Sequence, residues 1–295
     1  MDVLMFGGTR FFGLRLARRL LRDGHRLTVL TRGRVRDDLG DAPERIRADR
    51  SDAAALAAAL EGRRFDLVYD QICYTPREAK AALDALGDRV GRYVFTSTMA
   101  VYTPQDAPLE EEAFAPDAYP YDLDAAQFTY AEGKRQAEAY FFRHARCPVV
   151  AARVSMVVSG TDDYTGRFDF HVSRIARGEE IGVDAEEHEI SFVTAWDAAD
   201  FLHFLSETPF VGPINCASED THSVHSICAE IGSTLDATPR FAVVAPDDAS
   251  RSPYAMGATL RTSAARAREI GFEFPALTPQ LPEMTREASR RLQLR

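Results

Sequence analysis

Tyr130 and Lys134 stand four residues apart in the segment TYAEGK, a spacing that could support proton transfer. The segment falls in a helix predicted over about residues 125–144, so the two side chains share one face. An ammonium near a phenol favours the phenolate and therefore lowers the pKa of the tyrosine. Such a tyrosine can exchange a proton with a substrate oxygen while hydride moves at carbon. Lysine is scarce, since Lys80 is the only other one in the chain, which makes a chance pairing with a tyrosine improbable.

A hydroxyl group is also needed to position that substrate oxygen, and the segment that ends the fifth predicted strand offers one. This segment is TSTMAVY, residues 96–102, which follows a strand predicted over 93–96. The carboxyl edge of a parallel sheet is where ligands bind in open α/β folds. We therefore expect a hydroxyl from this segment to approach the Tyr130 side chain.

A glycine-rich loop, MFGGTRFFG over residues 5–13, follows the first predicted strand and opens the first predicted helix. Such a loop turns tightly and lets the backbone approach a pyrophosphate, while the helix N-terminus offers free N–H groups and a positive dipole end. Gly7 and Gly8 suit the turn, and Gly13 allows close packing of helix and strand. The loop therefore predicts a dinucleotide-binding site.

Two arginines near this loop favour NADP over NAD. Arg10 stands where a middle glycine is expected, and its side chain can extend toward the adenosine ribose. Arg32 follows the second strand, where an acidic residue would accept the ribose hydroxyls of NAD, and arginine suits a 2′-phosphate. The alternative is that both arginines only face solvent. Asp49, at the end of the third predicted strand, is a candidate acceptor for the adenine amino group or simply a surface carboxylate.

Short apolar strands alternate with helices in the first half of the chain, which predicts a doubly wound parallel α/β sheet. We expect a dinucleotide-binding domain over 1–155 and a mainly substrate-binding lobe over 156–295, with about 190–217 returning to the first domain. Ser51 is the predicted cap of the second helix. The predicted strands of the main sheet cover 3–6, 27–31, 45–49, 66–69, 93–96, 149–154 and 214–216.

Composition restricts the class of protein further. The net charge of −10 argues against a nucleic-acid partner, because such proteins usually carry a basic surface. No stretch approaches the ~20 apolar residues of a membrane helix, and the N-terminus lacks a signal pattern, so the expected location is the cytosol. His222 and His225 lack a third ligand at a suitable spacing, so we predict no metal site. The four cysteines show no CxxC spacing, which indicates reduced thiols.

Together these motifs resemble the extended short-chain dehydrogenase/reductases, the superfamily of NAD-dependent epimerases and dehydratases. The resemblance implies a Rossmann fold with a smaller C-terminal substrate-binding lobe. It implies Tyr130 as general acid/base, Lys134 as the group that lowers its pKa and holds the nicotinamide ribose, and Thr98 as the orienting hydroxyl, with Ser97 the second choice. The segments that carry it are GGTRFFG (7–13), TSTMAVY (96–102), YAEGK (130–134), Arg153, ISFVTAWDAADFL (190–202) and TSAARAREIGF (262–272).

The resemblance also assigns candidate binding residues. Those for the cofactor are Gly7, Thr9, Arg10, Phe11, Phe12, Gly13, Arg32, Asp49, Arg50 and Lys134. Those for the substrate are Tyr164, Phe168 and His171, which follow the sixth strand where the substrate lobe begins, and Arg251, where relatives place an arginine for a phosphate. The expected partner is a small molecule, and a homodimer is compatible with the resemblance.

The chain also departs from the family pattern. Arg10 in the first loop resembles a divergent branch that includes chloroplast stem-loop-binding proteins. The usual Asn and Gly-Pro after the sixth strand are replaced by RVSMVVSG, residues 153–160, and the segment after the fourth strand is DQICY, residues 70–74. Met99 and Ala100 stand where dehydratases often carry an Asp-Glu pair, which disfavours dehydration.

The predicted function is therefore NAD(P)-dependent oxidation or epimerisation at a hydroxyl or ketone of a sugar or nucleotide-sugar-like substrate. The sequence leaves open whether the hydride returns to the same molecule or stays on the cofactor. The alternative is a non-catalytic dinucleotide-binding protein, either an RNA-associated relative or a redox sensor.

Overall fold

A seven-stranded parallel sheet forms the centre of the computed structural model, which describes residues 1–294. Its strands are β1 (Asp2–Phe6), β2 (Arg26–Thr31), β3 (Glu44–Arg47), β4 (Phe65–Asp70), β5 (Val90–Thr98), β6 (Val149–Val154) and β10 (Gly212–Cys216). Their order across the sheet is β10-β6-β5-β4-β1-β2-β3. The order reverses next to β1, so the carboxyl ends of β1 and β4 border the crevice where open α/β sheets bind ligands. The predicted doubly wound sheet is confirmed.

Helices cover both faces of this sheet because the strands are apolar on both sides. On one face α1 (Phe11–Arg22) and α6 (Ala195–Glu207) bury side chains such as Leu16 and Phe201. On the other face α2 (Ala53–Ala59), α3 (Pro76–Leu86) and α4 (Tyr130–His144) bury Leu56, Ala82 and Phe141. The sheet is thus the middle layer of three.

A third hydrophobic core lies in the C-terminal part of the chain, around Phe168, Val172, Ile227 and Ile231. It holds two small sheets, one of β7 (Met156–Val158), β9 (Ile190–Thr194) and β11 (Thr221–His222), and one of β8 (Glu180–Val183) and β12 (Arg240–Val243). The helices of this core are α5 (Arg167–Arg177), α7 (Val224–Leu235) and α9 (Leu281–Arg291). The short helix α8 (Ala265–Glu269) instead packs against β10 of the central sheet. The division of the chain at residue 155 stays a proposal.

Several element boundaries differ from the sequence prediction. The predicted helix over 125–144 begins only at Tyr130, because the Thr129 side chain caps it by accepting the Glu132 amide. Tyr130 is therefore the first helical residue rather than a mid-helix one. The second helix is capped by Asp52, not by Ser51, whose hydroxyl instead donates to Asp49.

A buried ion pair fixes the position of α4 against the sheet. Arg153 on β6 donates to both carboxylate oxygens of Glu138 on α4, at 2.8–3.3 Å, and both side chains are fully buried. Burial disfavours the charged guanidinium, but the Glu138 carboxylate outweighs this effect and raises the pKa of Arg153. Ser97 on β5 donates to the same carboxylate. One helix and two strands therefore share one charge cluster.

The same guanidinium organises the segment that follows β5. Arg153 donates to the Tyr102 hydroxyl at 3.0 Å and to the carbonyl oxygens of Glu111 at 2.7 Å and Phe114 at 2.9 Å. Tyr102 in turn donates to Asn215 on β10 at 2.6 Å. These bonds satisfy every guanidinium nitrogen of Arg153 and connect residues 102–114 to the far edge of the sheet.

Replacing Arg153 with Met should lower the free energy of unfolding by about 3–5 kcal/mol, because the Glu138 carboxylate would stay buried without a counter-charge. Urea denaturation measures the change. The matched control is Lys80→Ala, which breaks an exposed pair with Asp84 and should cost less than about 1 kcal/mol. Equal losses of unfolding free energy in the two variants would show that the buried pair stabilises the protein no more than the exposed pair does.

Candidate active site

A cleft of about 490 Å³ lies at the carboxyl ends of β1, β2 and β4. The glycine loop forms one wall. Eight of the ten residues predicted to bind the cofactor line it, namely Gly7, Thr9, Arg10, Phe11, Phe12, Arg32, Asp49 and Arg50. The structure thus gathers most of the predicted cofactor residues in one place.

The conformation of the loop requires its glycines. Gly7 and Gly8 adopt φ values of +85° and +80°, a region that side chains disfavour. A Cβ at Gly8 would lie 1.8 Å from Met5 Sδ, and one at Gly13 would lie 2.0 Å from Gln71 Oε1. Gly13 therefore lets α1 approach the segment after β4, so the floor of the cleft is bare backbone.

The N-terminus of α1 is open toward a ligand. Arg10 occupies the capping position with an extended backbone, and its side chain makes no capping bond to the first N–H groups of the helix. Beside it, Gln71 Nε2 is buried and has no hydrogen-bond partner among the described residues. Free N–H donors at a helix N-terminus over a glycine floor fit a pyrophosphate. These features match the cofactor that the loop predicts.

The far end of the cleft carries arginines beside one carboxylate. Asp49 Oδ1 accepts the Ser51 hydroxyl at 2.7 Å and the Ser51 amide at 3.1 Å, and these bonds lower the pKa of Asp49, with Arg32 and Arg34 adding to the effect. Arg32 Nη1 lies 4.0 Å from Asp49 Oδ2. Both side chains are exposed, so they remain accessible to a ligand.

Arg50 has internal partners as well as a place in the cleft wall. Its Nη1 donates to Asp70, and its Nη2 donates to the Glu78 carbonyl oxygen at 2.9 Å. The Tyr93 hydroxyl donates to the other oxygen of Asp70 at 2.7 Å. The guanidinium is only 5% exposed, so Arg50 chiefly ties the third and fourth strands to the start of α3.

Lys134 lies in the interior next to this cleft. Its Nζ donates to the Thr96 carbonyl oxygen at 2.8 Å and is 4.7 Å from the ring centre of Tyr74. The residue is 2% exposed, and burial lowers the pKa of its ammonium to about 8. Tyr74 lines the cofactor cleft, so it connects that cleft with the buried lysine.

Tyr130 is 55% exposed at the start of α4, with its ring centre 6.0 Å from Lys134 Nζ and 6.3 Å from the Tyr74 ring. Desolvation raises the pKa of Tyr130, and the Thr98 hydroxyl partly opposes this effect. The sequence predicted a pKa lowered by Lys134. The difference arises because the ammonium points at the Thr96 carbonyl rather than at the phenol.

The structure distinguishes the two candidate hydroxyls at the end of β5. Ser97 donates to the buried Glu138 carboxylate, so its hydroxyl hydrogen is already used. The Thr98 hydroxyl accepts the Ala100 amide at 3.2 Å, which leaves its hydrogen free to donate. Thr98 is therefore the hydroxyl that can still orient a substrate oxygen.

Three of the four predicted substrate residues lie outside the glycine-loop cleft and have partners within the protein. Phe168 and His171 are fully buried in the C-terminal core. The His171 ring nitrogens bond to the Arg167 carbonyl oxygen at 2.8 Å and to Ser252 at 2.7 Å, and burial lowers the pKa of His171 to about 4. Both residues stand on the inner face of α5, and their contact with a substrate stays a prediction.

Arg251 is occupied by an ion pair, and Tyr164 lies elsewhere than expected. Arg251 Nη2 donates to both oxygens of Asp184, at 2.7 and 3.0 Å, away from the cleft. Tyr164 lines the glycine-loop cleft and is 62% exposed. The structure therefore places Tyr164 with the cofactor residues, which the sequence did not indicate.

Tyr74 and Gln71 line the cleft although no role was predicted for them. Tyr74 is 45% exposed, and burial of its remaining surface raises its pKa to about 12. Its carbonyl oxygen would lie 2.2 Å from a Cβ at Gly133, so this glycine lets α4 approach the segment. The sequence feature that could have pointed to these two residues is the stretch DQICY, residues 70–74, which differs from the pattern expected after β4.

Among residues 1–294, no group of three or more His, Cys, Asp or Glu side chains is arranged to hold a metal ion. His222 contacts Asp220, and His225 contacts Glu187. All four cysteines are free thiols. In the same described part of the chain, no helix is long and apolar enough to cross a membrane.

The sequence model of the NAD dependent epimerase/dehydratase family matches residues 3–217, well over half of the chain. The chain belongs to this family. Membership confirms the resemblance drawn from the motifs and the prediction of an NAD-dependent enzyme of the epimerase/dehydrogenase type. The cofactor of this NAD-dependent enzyme family is accordingly a nicotinamide dinucleotide.

A relative of this epimerase/dehydratase chain is the chloroplast stem-loop binding protein of 41 kDa b from Arabidopsis thaliana. The two are 33% identical over 129 residues, which cover 39% of this chain and 34% of the plant protein. The chain thus matches about a third of that relative.

The match between this chain and similar solved structures covers nearly the whole chain. UDP-glucose 4-epimerase from Thermotoga maritima, with UDP-glucose, has a TM-score of 0.76 at 17% identity and covers 99% of this chain and 100% of its own. dTDP-glucose 4,6-dehydratase from Bacillus anthracis, with NAD, has a TM-score of 0.77 at 13% identity and covers 99% of this chain and 98% of its own. UDP-glucuronic acid 4-epimerase from Bacillus cereus, with UDP-glucuronic acid and NAD, has a TM-score of 0.77 at 15% identity and covers 99% of this chain and 100% of its own. Likeness at this identity establishes the fold.

The two lysines of this epimerase/dehydratase chain should titrate far apart. Lys134 should lose its proton near pH 8 because burial disfavours the ammonium, whereas Lys80 should titrate above 10.5 because its hydrogen bond to Asp84 favours the charge. NMR of the protein labelled at lysine Nζ measures both midpoints, and Lys80 serves as the internal control. A Lys134 midpoint at or above 10.5 would contradict its burial.

Proposed function

We propose that the chain is an NADP-preferring enzyme that oxidises, reduces or epimerises a hydroxyl or ketone centre of a sugar-like substrate. The observation that supports this most is the grouping of Tyr130, Lys134 and Thr98 at the carboxyl edge of the sheet, next to the glycine-loop cleft. A half-exposed phenol, a buried ammonium and a free hydroxyl are the groups that proton transfer at a carbonyl or carbinol oxygen requires.

Each side chain has a distinct proposed role. The bound dinucleotide supplies the acceptor or donor of hydride. Thr98 donates its free hydroxyl hydrogen to the substrate oxygen and so orients it. Tyr130 gives its proton to that oxygen during reduction, and its raised pKa keeps the phenol protonated for this task. Lys134, held by the Thr96 carbonyl, places two further N–H donors near the site where the nicotinamide ribose would bind.

The preference for NADP rests on the charges around the adenosine end of the cleft. Arg10, Arg32 and Arg34 line the cleft, and the Asp49 carboxylate lies 4.0 Å from Arg32. Three guanidinium groups against this one carboxylate give the region a net positive charge. Guanidinium groups form charge-assisted bidentate bonds with a phosphate, which NAD lacks at this position.

A nucleotide sugar is the proposed class of substrate. The similar structures contain UDP-glucose or UDP-glucuronic acid, which supports this class by likeness of fold. Among the reactions of such enzymes, we favour epimerisation or simple oxidation over dehydration. The reason is that Met99 and Ala100, which follow the catalytic hydroxyl, cannot act as acid and base.

An RNA-associated function is the second candidate, because the name of the Arabidopsis relative includes stem-loop binding. The net charge of −10 opposes it. Binding of a stem-loop RNA measured at two salt concentrations separates the two functions. A strong affinity that falls steeply with salt would favour the RNA-associated function over the enzymatic one.

Replacing Tyr130 with Phe should reduce turnover by ~10²-fold or more while dinucleotide binding survives, because only the transferable proton is lost. The assay follows absorbance of the reduced nicotinamide during a screen of nucleotide sugars, nucleosides and keto sugars. Tyr121→Phe is the matched control, since it removes a phenolic hydroxyl that contacts His144 at the other end of α4. Full activity of Tyr130→Phe would show that the likeness is one of fold only.

Replacing Arg32 with Ala should weaken NADP about ten-fold or more and NAD much less, because a charge-assisted bond to a phosphate is worth ~1.5–3 kcal/mol. Calorimetry with both dinucleotides measures the difference. Arg36→Ala is the control, since Arg36 is exposed on the same segment but does not line the cleft. Equal losses for NADP and NAD would mean that Arg32 does not contact the 2′-phosphate.

A further inference from the structure

We propose that Arg10 and Tyr164 form a bridge across the cofactor cleft that slows release of the bound dinucleotide. The inference rests on the proposed cofactor site and adds a retention function for two side chains. Arg10 belongs to the glycine loop, and Tyr164 belongs to the segment between β7 and α5, so the pair joins opposite walls of the cleft.

The contact between the two walls is specific. The Arg10 guanidinium carbon lies 5.2 Å from the centre of the Tyr164 ring, a cation–π distance. The same ring meets Phe11 edge-on, with ring centres 5.8 Å apart and planes at 87°. Tyr164 thus touches two consecutive residues of the loop that faces the pyrophosphate. A glycine at position 10 could make no such contact.

The backbone on both sides of Tyr164 is held in place. On one side Arg15, which is buried in α1, donates to both oxygens of Asp162 at 2.8 Å. On the other side Asp163 accepts the amides of Thr165 at 2.9 Å and Phe168 at 3.0 Å. The Tyr164 side chain itself is 62% exposed. The segment is therefore anchored, and only the aromatic side chain is free to move aside.

This arrangement makes exchange of the cofactor depend on the pair. A dinucleotide lying on the glycine loop would lie beneath Arg10 and Tyr164, and the two side chains must separate before it leaves. Because one cation–π contact and one aromatic contact must break before the dinucleotide can leave, the bridge should make release about ten-fold slower than from an open cleft.

The test is the rate at which the full-length protein releases NADH and NADPH, followed by the fluorescence of the reduced nicotinamide after mixing with excess oxidised dinucleotide. Tyr164→Ala should release both about ten-fold faster. Tyr164→Phe keeps the ring and should behave as the parent chain. Arg10→Gly should accelerate NADH release too, and because NADH has no 2′-phosphate, this effect reports the bridge alone.

A double variant tests whether the two side chains act together. If the two side chains act as one bridge, combining Arg10→Gly with Tyr164→Ala should add little to either single change. Release from Tyr164→Ala within two-fold of the parent rate would overturn the bridge while leaving the cofactor site intact. Failure of the parent chain to bind either dinucleotide would overturn the proposed function, and the bridge with it.

Discussion

The ion pair between Arg153 and Glu138 holds the start of α4 at the carboxyl edge of the sheet. Glu138 is one turn beyond Lys134, so the carboxylate that pairs with β6 also sets the depth of the lysine beneath β5. Ser97 donates to the same carboxylate, which leaves Thr98 as the free hydroxyl of that strand. A buried charge is costly without its partner, so this one contact restricts the positions of all three proposed catalytic groups.

The glycine-loop cleft, which is the proposed cofactor site, depends on a different constraint, namely the absence of side chains. Bare backbone at Gly8 and Gly13 lets α1 approach Met5 and Gln71 closely, and the helix N-terminus stays uncapped. Arg10 is the exception in this loop. Its side chain leaves the floor of the cleft open and contacts Tyr164 on the opposite wall. Arg10 therefore shapes the rim of the cleft and not its base.

The sequence was sufficient for the sheet and for grouping most of the proposed cofactor residues in one cleft, because both depend on local patterns of apolar strands and glycines. It placed the start of α4 five residues early, since capping by Thr129 depends on one side-chain bond that periodicity does not reveal. It could not show that Phe168 and His171 are buried in the C-terminal core, because sequence position does not reveal which face of α5 is buried. The pKa shift of Tyr130 could not be predicted, because the direction of the Lys134 ammonium depends on the Thr96 carbonyl.

The most direct test of the account asks whether a dinucleotide bound at the glycine loop reaches the buried lysine. With the protein labelled at lysine Nζ, NADP is added to saturation and the two lysine signals are followed by NMR. The account predicts that the Lys134 signal shifts while the Lys80 signal, on the exposed face of α3, stays where it is. If calorimetry showed saturation by NADP but the Lys134 NMR signal did not change, the proposal that the cofactor binds next to the catalytic groups would be contradicted.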